Sequence, residues 1–167
     1  MAATGKHACV VASAGAYTLP PIIDGQIVPI DPTGRVTISN ELASLPKLQH
    51  AFEQFGQQHG IPVGSINQLQ VVLDELASNV IKYAWSDGGV HELSVSFGIS
   101  AGAITLEFTD DGAAFNPLDA PPPPPLQPGE RPLPGGVGLH MVRQLVDGMA
   151  YARIGATNRI TITKRLN

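Results

Sequence analysis

The chain has 167 residues, 43% hydrophobic and 14% charged, enough to enclose one core and within the usual size of a single domain. Its formal net charge of −4 lacks the basic excess that a phosphate backbone demands, which excludes nucleic acid as a general partner. The lone cysteine, Cys9, allows no internal disulfide and no Cys/His zinc set, and no run approaches the roughly 20 apolar residues of a membrane span, so a cytoplasmic protein without membrane contact is expected.

In chain order, residues 1–34 mix small residues with Pro20, Pro21, Pro29 and Pro32 and show no clear period, which predicts an irregular amino-terminal arm. Within it "HACVVASAGAY" is too short and too interrupted for a secretory segment. "RVTIS" reads as the first strand. Leu42, Leu45, Leu48, Phe52 and Phe55 then recur at spacings of three and four, predicting an amphipathic helix capped by Asn40 and stopped at Gly60. After "HGIPVGS", Ser65 is the expected cap of a second helix that runs to about Trp85. Leu93, Val95, Phe97 and Ile99, and then Ile104, Leu106, Phe108 and Asp110, alternate as two antiparallel strands joined at "SAGA". Nine of the chain's fifteen prolines fall between Pro117 and Pro134, which predicts a long, stiff loop. "GVGLHMVRQLVDG" follows as a short helix, and "AYARIGATNRITITKRL" as a hairpin turning at "GATN". Helices and short hairpins in this order predict an α+β, two-layer sandwich, with a mostly antiparallel sheet covered by helices on one face.

Three constellations carry chemistry. In "VVLDELASNVIKYAW", at about 100° per residue, Glu75, Asn79 and Lys82 fall within roughly 60° of one another beside the apolar stripe of Leu69, Val72, Leu73, Leu76 and Val80. Such a ridge can be the solvated side of the helix. Val71 lies on that same ridge one turn before Glu75, however, and Ala77 and Ile81 occupy much of the remaining circumference, so little of the helix is left for water. A carboxylate and an amide there call for partners that a hydrated Mg²⁺ on a phosphate chain would supply, with Lys82 suited to phosphate oxygens. In "ITLEFTDDGAAF", strand parity points Asp110 inward at the strand's end and Asp111 outward. An inward acid there can accept a hydrogen bond from an exocyclic amine such as adenine's, and a plain turn acid is the ordinary alternative. In "PGGVGLHMV", Gly135, Gly136 and Gly138 open a helix whose free N–H groups favour phosphate.

The order E-x-x-x-N on a helix, D-x-G at a strand end, then G-x-G-L before a helix resembles the N, G1 and G2 boxes of the GHKL ATPases, which share the Bergerat ATP-binding fold. Within that superfamily, "LDELASNVIKYAW", "DDGAAFNPLDAPPPP", "ERPLPGGVGLHMVRQLVD" and "ITITKRL" are similar to the anti-sigma factor serine/threonine kinases of the RsbW and SpoIIAB type, over roughly residues 37–166. The resemblance implies a histidine kinase-like ATP-binding domain over residues 35–167 with a proline-rich lid at 117–134. It also implies the cofactors ATP and Mg²⁺, an anti-anti-sigma antagonist of the STAS type and a sigma factor as partners, and a homodimer. Residue by residue it implies Glu75 as general base, Asn79 as the Mg²⁺ ligand, and Lys82 near phosphate. Asp110 would read the adenine amine, Gly112 would let the base approach the backbone, and Gly136, Gly138 and Leu139 would support the triphosphate, with Arg143 a looser match. Ala114 departs from the pattern, since many members carry a second glycine there. A module that sequesters a partner without chemistry is the alternative; a detached histidine-kinase domain is disfavoured, because no phosphoacceptor-histidine helix pair is recognisable.

Overall fold

The computed structural model describes residues 22–23, 26–27, 33–121 and 137–166. Most of the expected arm and of the expected lid, together with Gly135 and Gly136, lies outside the described residues. Two short strands, β1 (Ile22–Ile23) and β2 (Gln26–Ile27), pair with each other. The remaining strands are β3 (Gly34–Ser39), β4 (Glu92–Ser100), β5 (Ala103–Asp110), β6 (Gly148–Ile154) and β7 (Thr157–Arg165). They form one antiparallel sheet in the order β3-β4-β5-β7-β6. The helices α1 (Leu45–Gln58), α2 (Val63–Tyr83) and α3 (Val137–Leu145) complete the α+β sandwich that the alternating pattern predicts.

The alternation places every second side chain toward the helices. Leu93, Val95 and Phe97 of β4, Ile104, Leu106 and Phe108 of β5, and Ile160 and Ile162 of β7 are buried against Leu48, Phe52 and Phe55 of α1 and Leu69, Val72, Leu73 and Leu76 of α2. Phe52 meets Phe97 edge-on at 5.3 Å between ring centroids. Each such side chain contributes about 1.5–3 kcal/mol by leaving water, which fixes α2 along the sheet. The opposite row of the sheet is polar and small: Thr105, Thr161 and Thr163, with Arg159 Nε 3.7 Å from Glu107 Oε1.

Both expected caps shift. A 3-10 turn, Leu42–Ser44, precedes α1, so Ser44 stands at the N-cap. Asn40 instead ties the end of β3 to the turn before β4, donating to Gly89 O and accepting from His91 N, both at 3.0 Å. In α2 the N-cap is Pro62, and Ser65 lies in the first turn, its N–H on Pro62 O. Nor is α2 enclosed all round, since Val71 is 38% exposed and Lys82, three turns farther on, is exposed as well. Gly60 ends α1 as expected, at φ +64°.

The hairpin at "SAGA" joins Ser100 to Ala103 through Ala101 at φ +50° and Gly102 at φ +73°, both left-handed as a type I′ turn requires. An L-residue other than Asn or Gly pays for that conformation. Ala101→Asn should therefore raise stability by about 0.5–1 kcal/mol, seen as a higher urea midpoint at unchanged slope.

Candidate functional site

Asp110 is the last residue of β5 and continues the row of Leu106 and Phe108, so the pleat turns its carboxylate inward, where it is 5% exposed. Its Oδ1 accepts from Gly112 N at 2.9 Å, closing an Asx turn, and from Asn158 Nδ2 at 2.8 Å. Asn158 sits directly opposite in the β5–β7 register and is itself 3% exposed. Its Nδ2 also donates to Ala113 O at 2.9 Å, while its Oδ1 accepts from Tyr151 OH and Arg153 Nη1, each at 2.8 Å. Arg153 Nη1 donates at 2.7 Å to Gly112 O as well. Burial pushes the Tyr151 phenol above its ordinary pKa, opposed by Arg153, so it stays a donor at neutral pH. With both hydrogen bonds to Asp110 landing on Oδ1, Oδ2 is the oxygen left to offer a ligand.

The chain after Asp110 runs against the end of α2. A Cβ on Gly112 would meet the Cβ of Ala84 and come within 2.6 Å of Ala84 O, and Ala113 N donates to that same carbonyl at 2.7 Å. The glycine is thus required by packing on α2, a reason separate from any approach of a base. Asp111 points outward, as parity predicts, and accepts from Trp85 Nε1 at 2.9 Å. Trp85 stacks on His91 with centroids 5.0 Å apart, and His91 Nε2 meets Asp87 Oδ1 at 2.8 Å. The Gly89 N–H and then His91 hold the Asp87 carboxyl below its usual range.

Between α2, α3 and the loop after β5 lies a narrow cleft of about 30 Å³, with Asp110 in its lining. Leu76, Asn79, Val80 and Tyr83 of α2 form one side, Leu139 of α3 adjoins them, and Phe115 and Pro117 stand on the loop side. It continues into a second, wider space of about 550 Å³ that shares Asn79, Tyr83, Phe115 and Leu139 and adds Ala114 and Asp119. A mainly apolar lining that includes one carboxylate and the amides Asn79 and Asn158 suits the edge of an amino-bearing aromatic base.

The expected site residues divide accordingly. Asp110, Asn79 and Leu139 line the cleft together. Glu75, half-buried, lines neither space; its carboxylate occupies the position that a Cβ on Gly138 would fill, at the start of α3. Lys82 is exposed and lines neither space, and Gly136 is outside the described residues. Tyr83, Phe115 and Asn158 line the cleft without having been singled out from the sequence. Tyr83 lies one turn beyond Asn79, and Asn158 interrupts the apolar row of Ile160 and Ile162, signals that were present in the pattern. Among the described residues no three His, Cys, Asp or Glu side chains gather as a metal cage.

Residues 38–164 match the family model of the histidine kinase-like ATPase domain. The chain is 27% identical over 95 residues to serine/threonine-protein kinase BtrW of Bordetella bronchiseptica, covering 57% of this chain and 67% of that protein. It is 29% identical over 92 residues to serine-protein kinase RsbW of Oceanobacillus iheyensis, covering 53% of this chain and 58% of that relative, less than two thirds of its length. A solved structure of RsbU and RsbW domains from Mycobacterium tuberculosis aligns with a TM-score of 0.55 at 15% identity, over 81% of this chain and 33% of that one, a likeness of fold.

Proposed function

Because the chain belongs to the histidine kinase-like ATPase domain family, we propose that it is an ATP-binding serine/threonine protein kinase of the anti-sigma factor type, which phosphorylates an anti-anti-sigma antagonist. The observation that carries this is the pairing, in one cleft lining, of a buried carboxylate with one uncommitted oxygen, Asp110, and the half-buried amide Asn79. The relatives' names as serine kinases support the phosphoryl-transfer step.

Asp110 Oδ2 would accept from the adenine amine, with Ile160, Val80 and Leu139 enclosing the ring. Asn79 offers a single oxygen ligand, which fits a metal that takes most of its oxygens from phosphate and water, as Mg²⁺ does. Mg²⁺ held there would neutralise phosphate charge. Glu75, one turn before Asn79, would take the proton from the attacking serine or threonine hydroxyl. Gly136 and Gly138 would lend N–H groups to the phosphates, and Lys82 would serve phosphate from the outer side of α2. The proposed partners are a STAS-type antagonist and a sigma factor, the proposed setting the cytoplasm where sigma factors act, and the proposed state a homodimer. No described helix is long and apolar enough to cross a membrane.

A second reading, a module that sequesters its partner without chemistry, is favoured by one observation: Glu75 lies against Gly138 and not in the cleft. Calorimetric titration tests the nucleotide site common to both. Mg-ATP should bind and GTP should bind at least about tenfold more weakly, because guanine turns a carbonyl toward Asp110 where adenine turns an amine. Equal affinities would remove Asp110 from its role.

A further inference from the structure

Arg143 lies one turn beyond Leu139 on α3, so the two side chains leave the helix on the same side. Leu139 lines the cleft, whereas Arg143 reaches across to the 3-10 turn Pro117–Asp119. Its Nη2 donates to three main-chain carbonyls, Pro117 O at 2.7 Å, Leu118 O at 3.0 Å and Ala120 O at 3.1 Å. A helical turn leaves such carbonyls unpaired at its C-terminal end, where a cation is favoured. The other end of the turn is closed by Asn116, whose Oδ1 accepts from Leu118 N at 3.0 Å. Fastened at both ends, this turn carries Pro117 on the cleft's wall, with Phe115 just before it. The facing wall belongs to α2 and α3 through Asn79 and Leu139.

We propose that Arg143 is a positioning residue for the cleft. By joining α3 to the Pro117–Asp119 turn it sets the spacing between the Phe115/Pro117 wall and the Asn79/Leu139 wall, and thereby the affinity for the adenosine part of a nucleotide, without touching phosphate. The two N–H bonds of Nη2 are committed to three acceptors on the turn, so phosphate contact could come only from Nε or Nη1, which a series of adenosine, ADP and ATP distinguishes. A guanidinium is suited to the task because its planar fork stays charged and holds several oxygens at a defined angle. The proposal rests on reading the cleft as the ATP site.

Calorimetric titration of adenosine, ADP and Mg-ATP into wild type, Arg143→Met and Arg143→Lys, well below each protein's melting temperature, tests it. Arg143→Met should weaken all three ligands by one common factor of about ten, as expected when the binding-competent wall spacing falls to a minor population. Arg143→Lys keeps a cation with three donors and should fall between the two, again uniformly across ligands; it also carries the test if the methionine variant does not fold. A loss that grows from adenosine to ADP to ATP would overturn the proposal in favour of direct phosphate contact. Unchanged affinities with a lowered melting temperature would reduce Arg143 to a purely structural role. A wild type that binds none of the three would refute the cleft reading itself, a result distinct from variants that match a wild type which binds.

Discussion

Glu75→Gln should leave Mg-ATP affinity nearly unchanged and lower phosphotransfer to an antagonist by roughly 10²–10⁴-fold, the usual contribution of a positioned general base. Two features of the site lead to this separation. Leu76, Asn79, Val80 and Tyr83 line the nucleotide cleft and Glu75 does not, so nucleotide binding has no need of its charge. Its carboxylate lies instead at the start of α3, in the space left by the missing Cβ of Gly138. Gln keeps the side chain's volume beside Gly138 and loses only the basic oxygen. Label transfer from radioactive ATP to candidate antagonist domains, compared at equal nucleotide occupancy, reads the effect. Equal transfer by both proteins would take the base role from Glu75, and a wild type inert toward every antagonist would favour the sequestering module.

The parts of this fold that could be read in advance are those ruled by local periodicity. Leu93, Val95 and Phe97 and then Leu106, Phe108 and Asp110 alternate, so the inward direction of Asp110 followed from parity alone and the burial agrees. The caps were less legible because several short polar residues compete within a few positions. Asn40 and Ser44 differ in role only through where the 3-10 turn falls and what Gly89 and His91 offer across the sheet. Lys82 shows a different limit. Its helical angle places it near Asn79, yet the cleft opens on the other flank, toward Tyr83, because the position of the Phe115 loop decides which flank is covered. Angles around a helix say which residues share a side, not which neighbour that side meets. Asn158 needed the β5–β7 register, a pairing across 48 residues that no local window contains.

That register makes Asn158 the position where substitution should cost most in stability. Its amide donates to Asp110 Oδ1 and Ala113 O while accepting from Tyr151 and Arg153. Asn158→Leu removes both functions at once, takes the acceptor from the Tyr151 hydroxyl while Arg153 keeps only Gly112 O, and deprives Asp110 of a donor, and should destabilise the fold by about 3–5 kcal/mol. Asn158→Asp separates the two functions. The new carboxyl can still accept from Tyr151 and Arg153, but it places an acceptor where Nδ2 had donated, so one proton must be shared with Asp110 for the contact to hold. Such a shared proton gives the pair a pKa raised above its unfolded value. The stability it supports is therefore complete below the unfolded carboxylate range near pH 4 and is lost as pH rises through the raised value. Urea midpoints at pH 5 and pH 8 should accordingly fall farther apart in Asn158→Asp than in wild type, with the variant weaker at pH 8 and binding Mg-ATP poorly there. Parallel pH dependence in the two proteins would mean that Asp110 does not depend on Asn158 for its donor, and that the orientation of the adenine-reading carboxylate is set by the Gly112 N–H alone.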